Sequence, residues 1–168
     1  MFWQTTLTRS LSFIGIGLHR GEPVTLTIHP APANHGLRFV RRDLAEQPQL
    51  KAYYAQVVDT ARATTLGDGR VTLSTVEHLL AALWGLEVDN ARIEVEGPEM
   101  PIMDGSAAPF AKKILEAGRR TLPYPRSYLL VERPVELRDD HQYVRVTPGK
   151  PSISCAIDFP HPLIQRQR

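Results

Sequence analysis

Ser74-Thr75-Val76-Glu77-His78-Leu79-Leu80-Ala81-Ala82-Leu83 is the stretch at which the chain changes its hydrophobic period. Val76, Leu79, Leu80 and Leu83 fall at i, i+3, i+4 and i+7, the spacing of one helix face, and Ser74 with Glu77 has the S-x-x-E spacing of a capping box. Gly85 is placed to end this helix. Upstream the pattern is that of strands. Thr5 to Phe13 is apolar and hydroxyl-rich, and Val24-Thr25-Leu26-Thr27-Ile28 alternates at period two before Pro30 and Pro32. Leu37 to Arg41 and Tyr53 to Val58 are shorter candidates. Such a succession is a meander, for which antiparallel pairing is the default. Downstream come a strand at Ala91 to Val95, a loop at Gly97 to Gly105 and a second helix from Ala107 to Gly118. Ser106 is its N-cap and Pro109 sits in its first turn.

Two helices against a strand-rich stretch make an α+β two-layer sandwich, an antiparallel-rich sheet covered by helices, over residues 1–126. Thr121 to Ser127 is the candidate linker. Residues 127–168 hold four short strand candidates, Tyr128 to Val131, Val135 to Leu137, Tyr143 to Val146 and Ile153 to Ile157, with no helix to cover them. A piece of that size rarely buries enough surface to fold alone, so it reads as the truncated start of a second, similar domain.

Composition sets outer bounds. The 168 residues are 42% apolar and 23% charged, and no apolar run is long enough to span a membrane as a helix. Ser10 to Leu18 is mostly apolar behind Arg9, but it holds two glycines and is followed by His19-Arg20-Gly21, so it reads as folded structure rather than a secretory signal. A net charge of +2, dispersed basic residues and 7% aromatics argue against a nucleic-acid partner. The single cysteine, Cys155, excludes an internal disulfide framework and a multi-thiolate zinc site, and the cytoplasm is the simplest location.

The chemistry-bearing residues are few. At about 100° per residue, His78 lies nearly opposite the apolar stripe, beside Ala81, Ala82 and Gly85. Small residues there suggest that another domain or a ligand comes close to the backbone. Glu77 lies about a quarter-turn away. An imidazole next to a carboxylate suits a zinc ligand and a base for metal-bound water, but from these two residues alone a capping glutamate and a partly exposed polar histidine is the favoured reading. Gly15 to Gly21 sets His19 and Arg20 between glycines, either to bring backbone amides to a phosphate or substrate oxygen or to form a tight corner. Asp104 and Ser106 suit turn and cap chemistry. His29, His35, His141 and His161 show no ligand spacing and read as surface histidines.

Taken together, four motifs are far more specific: Gly15-Ile16-Gly17-Leu18-His19-Arg20-Gly21, Val24-Thr25-Leu26-Thr27 leading to Pro30-Ala31-Pro32-Ala33-Asn34, Ser74 to Leu83, and Pro101-Ile102-Met103-Asp104-Gly105-Ser106-Ala107-Ala108-Pro109-Phe110. In this order they closely resemble the UDP-3-O-acyl-N-acetylglucosamine deacetylase family of lipid A biosynthesis, and Asp158-Phe159-Pro160-His161-Pro162 extends the resemblance.

The resemblance implies two similar α+β domains facing each other across a zinc site that activates water against the N-acetyl amide. His78 would be the zinc ligand of the first domain, Glu77 the general base, and His19 a supporting residue from the glycine loop. Asp158 and Phe159 would help hold the nucleotide, an aromatic face suiting uracil. The remaining zinc ligands, a histidine and an aspartate, would come from a later helix of the second domain, and Arg62-Ala63 departs from relatives beside a stretch that lines the site. Zinc binding and activity are therefore expected only with a complementary second-domain chain or a longer gene product. The alternative is a non-catalytic remnant that binds a nucleotide sugar or a partner protein.

Overall fold

The computed structural model describes residues 2–140 and 142–168, so His141 lies outside the described residues. The chain divides into two compact units, residues 1–126 and 127–168. In the first unit the strands are β1 (Trp3–Leu7), β2 (Leu11–Ile16), β3 (Pro23–Pro30), β4 (Leu37–Arg41), β5 (Gln49–Lys51), β6 (Val57–Asp59), β7 (Thr65–Gly67) and β8 (Thr72–Leu73). Helix α1 (Glu77–Gly85), β9 (Ala91–Glu96), α2 (Ala108–Ala117) and β10 (Arg119–Pro125) follow.

The principal sheet has the order β2-β3-β9-β4-β5, which is not a meander. β9 inserts between β3 and β4, pairing antiparallel with the first and parallel with the second. Its alternation explains the central place: Ala91, Ile93 and Val95 are buried, and they meet Phe39 of β4 and Leu26 and Ile28 of β3 on the inward face. The outward face carries Thr25, Thr27, His29, Arg92 and Glu94. The buried residues of α1 and α2 share one core with the inward face, and Phe13 meets Phe110 edge-on at 5.0 Å. The unit is thus α+β, with one side of the sheet covered by two helices.

Several sequence expectations need correction. Thr5 to Phe13 is two strands broken at residues 8–10. Tyr54–Gln56 is a single turn of 3-10 helix, and only Val57–Asp59 of that candidate is extended. Most of the candidate linker, residues 121–125, belongs to β10, which pairs antiparallel with β1 and buries Leu122, while Arg126 and Ser127 stand at the boundary between the two units. The prolines of β10 are tolerated because a strand in a two-stranded ribbon has an edge that needs no N–H donors.

In α1, Ala82 is buried with Leu79 and Leu83, while Trp84 stands 66% exposed beside Ala81 and Gly85. The buried arc is therefore wider than the leucine stripe, because α1 faces α2 as well as the sheet. The helix stops in a Schellman motif, with Val88 N–H donating to the Leu83 carbonyl and Glu87 N–H to that of Trp84. The left-handed residue is Glu87, at φ +55°, rather than a glycine.

The second unit, described by itself, is two antiparallel hairpins: β11 (Val135–Asp139) with β12 (Gln142–Val146), and β13 (Ile157–Phe159) with β14 (Gln165–Gln167). Tyr128 to Val131 is not extended into a strand, and Ile153 to Ile157 contributes only its last residue. Residues 129–131 and 153–156 find no ladder partner among the described residues. Almost every residue of the unit is exposed, including Leu129, Leu130, Leu137 and Leu163.

Candidate functional site

The site is built where three segments of the first unit meet: the glycine loop after β2, the residues opening α1, and the connection between β9 and α2. The capping box does not form. Val76 is the N-cap residue without a side-chain bond, and Ser74 is held by the 97–100 segment, its N–H donating to the Pro98 carbonyl and its carbonyl accepting from Met100. Glu77 is freed from capping and becomes the first helical residue. One of its carboxylate oxygens, Oε2, accepts the Thr64 N–H at 2.9 Å. The other, Oε1, lies 3.8 Å from Nε2 of His78, and the two side chains are 38% and 27% exposed respectively. The pair therefore shares an accessible surface. The segment bearing Arg62-Ala63 runs directly into the Thr64 amide that fixes Glu77.

Thr75, two residues before, is buried and held at φ +62°. That is a strained backbone for a β-branched residue, and such strain persists only where the surroundings over-determine it. The surroundings here centre on Glu99, which is 1% exposed. Its Oε1 accepts from the Thr75 hydroxyl at 3.2 Å and from the His19 N–H at 2.9 Å, while Oε2 accepts from the Arg20 N–H at 3.0 Å. Burial pushes the Glu99 carboxyl upward, but the two amides, the hydroxyl and the His19 charge outweigh it and hold the group below the ordinary carboxylate value.

Of the two readings of the glycine loop, the structure shows the tight corner, closed by the Gly17 N–H on the Glu22 carbonyl and the Gly21 N–H on that of Gly17. The His19 and Arg20 amides of the loop are already spent on an internal carboxylate. Gly17 is required for this arrangement, since a Cβ there would stand 2.5 Å from Oε2 of Glu99. Gly15 lies similarly close to Pro101 and Met103. Sequence reasoning passed over Glu99. The available signal was a glutamate between two prolines in Pro98-Glu99-Met100-Pro101, where a solvated loop would have no need of flanking apolar and proline residues.

Asp104 behaves as turn chemistry requires: Oδ1 accepts from the Ser106 hydroxyl at 2.8 Å and its N–H at 2.9 Å. These bonds, with a smaller contribution from the His78 charge, hold its carboxyl below the ordinary value. Ser106 in turn accepts the Ala108 N–H at 3.1 Å, capping α2 one residue earlier than its N-cap geometry at Ala107. His29 is more engaged than a surface histidine, with Nδ1 2.9 Å from the Ser10 hydroxyl and Nε2 3.4 Å from Glu94. His35 is half-buried and His161 exposed. Asp158 and Phe159 sit on β13 of the second unit, Asp158 opposite Arg166 and Phe159 52% exposed.

A catalytic zinc ion takes three protein donors and keeps one position open. Among the described residues no group of three or more His, Cys, Asp or Glu is placed to hold a metal ion. His78 offers one donor, so the described residues do not by themselves fit zinc. No described helix is long and apolar enough to cross a membrane.

The family described as UDP-3-O-acyl N-acetylglycosamine deacetylase matches residues 4–168. The chain belongs to that family. It is 50% identical over 165 residues to a UDP-3-O-acyl-N-acetylglucosamine deacetylase of Myxococcus xanthus, covering 98% of this chain and 52% of that protein. It is 48% identical to the protein of the same name from Anaeromyxobacter dehalogenans, covering 98% and 53%. A bifunctional enzyme of Chlorobaculum tepidum is 45% identical over 143 residues, covering 85% of this chain and 31% of that one. The chain spans about half the length of the deacetylases it matches.

Proposed function

We propose that this chain carries the first-domain share of a deacetylase active site, which removes the N-acetyl group from UDP-3-O-acyl-N-acetylglucosamine in lipid A biosynthesis. The observation that carries the proposal is the Glu77–His78 pair at the opening of α1, accessible and mutually close, in a chain that belongs to this family. Glu77 is the general base. The Thr64 amide fixes its carboxylate through Oε2, and Oε1, 3.8 Å from His78 Nε2, is the oxygen that takes a proton from the attacking water. Among the described residues His78 is the donor toward zinc, and the other donors belong to a second domain. His19, on the loop anchored by Glu99, supports the site from the side.

Residues 127–168 are then the opening strands of that second domain. Phe159 offers an exposed ring for the uracil, with Asp158 beside it. A nucleotide-sugar substrate is consistent with a cytoplasmic enzyme. The proposal is tested by fusing this chain to the remaining portion of the Myxococcus relative and measuring acetate release from the UDP-3-O-acyl sugar. Release at a rate comparable with the relative is expected, and a folded but inert fusion would contradict the assignment.

A further inference from the structure

Glu99 has no part in the proton transfer just described, yet its carboxylate joins two of the segments that build the site. It is 1% exposed. A buried carboxylate is costly unless donors match it, and three do: the His19 and Arg20 amides and the Thr75 hydroxyl. These donors come from two segments more than fifty residues apart in sequence, and both lead into proposed site residues. The His19 amide belongs to the residue that supports the site, and Thr75 stands two positions before Glu77.

Other features tie the same point. Gly17 leaves no room between its backbone and Oε2 of Glu99, and Ser74 is bonded to Pro98 and Met100 on either side of Glu99. Thr75 keeps a left-handed backbone that its hydroxyl bond to Glu99 helps to fix. The carboxylate takes the place in the glycine loop that a bound anion would otherwise occupy.

We propose that Glu99 is a positioning residue, a built-in anion that fastens the His19 loop to the opening of α1 and so holds His19 in register with Glu77 and His78. This rests on the assignment of Glu77 and His78 as the reacting pair. The coupling itself can be read without any turnover.

The test uses the 168-residue chain, followed by amide proton–nitrogen spectra and hydrogen exchange. In Glu99→Gln, exchange of the His19 and Arg20 amides is expected to accelerate by about tenfold or more, the scale of losing a hydrogen bond to a charged acceptor. The amides of Leu26 and Ile93 should stay protected and report an intact sheet. In Glu99→Ala, formate should refill the carboxylate position. It should restore the His19 and Arg20 signals, and in the same titration move those of Glu77 and His78, whereas chloride should do neither. Thr75→Val replaces the hydroxyl with a methyl group while keeping the β-branched shape, and it serves where the Glu99 variants fail to fold. It should shift the His19 and Glu77 signals together.

Unchanged His19 and Arg20 exchange in Glu99→Gln would overturn the proposal. So would formate rescue confined to the loop, or a Thr75→Val spectrum in which only residues next to 75 move. An intact coupling in a chain whose fusion never deacetylates would instead remove the functional assignment and leave the clamp standing.

Discussion

Replacing Gly17 by alanine adds a single methyl group at a position whose backbone any residue can adopt, so its cost isolates the packing of Glu99 against the glycine loop. The new Cβ would lie 2.5 Å from Oε2 and 2.9 Å from the carboxylate carbon, where ordinary contact begins at 3.4 Å. The carboxylate must therefore retreat by close to an ångström. It cannot do so cheaply, because the His19 and Arg20 amides hold it at 2.9 and 3.0 Å and would be stretched beyond hydrogen-bonding distance. Hydrogen bonds to a charged group contribute about 1.5–3 kcal/mol each. With partial relaxation the expected loss is about 3 kcal/mol, in the upper range for a single substitution. For a unit of this size that lowers Tm by roughly 10 °C. The assay is urea and thermal unfolding of the 168-residue chain, with Gly85→Ala as the control. Gly85 ends α1 with nothing within 4 Å of its Cβ position, so alanine there should be neutral or stabilising by up to about 1 kcal/mol. A Gly17→Ala protein within about 0.5 kcal/mol of the parent would refute the claim that the loop is seated on a locked carboxylate.

Two further outcomes are expected. Glu87→Gly should raise stability by about 0.5–1 kcal/mol, since glycine takes the left-handed position after α1 without penalty, and the 3.7 Å ion pairs to Arg119 and Arg126 that it removes are surface interactions of small worth. A loss of stability in urea unfolding would show that those pairs matter more than the backbone. The second concerns pH. Because the folded Glu99 carboxyl sits below its ordinary value of 4.5, its contribution to stability is present above that pH and is lost as pH falls through the folded value. Urea midpoints measured from about pH 6 down to about pH 3 should fall less steeply in Glu99→Gln than in the parent, and parallel curves would contradict the assignment.

The parts of the fold that could be read from residue order were those set by local periodicity. β3, β4, α1 and α2 lie close to where alternation and the helical stripe place them, because Val24, Leu26 and Ile28 must share one face and Leu79 and Leu83 another. Strand order was not legible. The insertion of β9 between β3 and β4 is a long-range choice made by two inward faces, and nothing local in Ala91 to Glu96 specifies its neighbours. The 121–127 stretch misled for a related reason: its prolines suggest a break, whereas an edge strand beside β1 accommodates them. At the proposed site, Glu77, His78 and His19 were singled out through the resemblance that the motif order carries, since by themselves these residues read first as capping and loop chemistry. Glu99 was not, because a buried carboxylate satisfied by two amides and one hydroxyl leaves little trace in the sequence beyond its flanking prolines and the need for glycine at position 17.

The central claim is that Glu77 of this chain takes the proton from the attacking water, and the most direct measurement is acetate release by the fusion with the Myxococcus portion carrying Glu77→Gln. Glutamine can still accept the Thr64 amide through its side-chain oxygen, so the fold and the opening of α1 should be kept, as judged by an unfolding midpoint equal to that of the parent fusion. Turnover should fall by about a hundredfold or more, the usual worth of a positioned general base. A Glu77→Gln fusion that releases acetate at the parent rate would contradict the account.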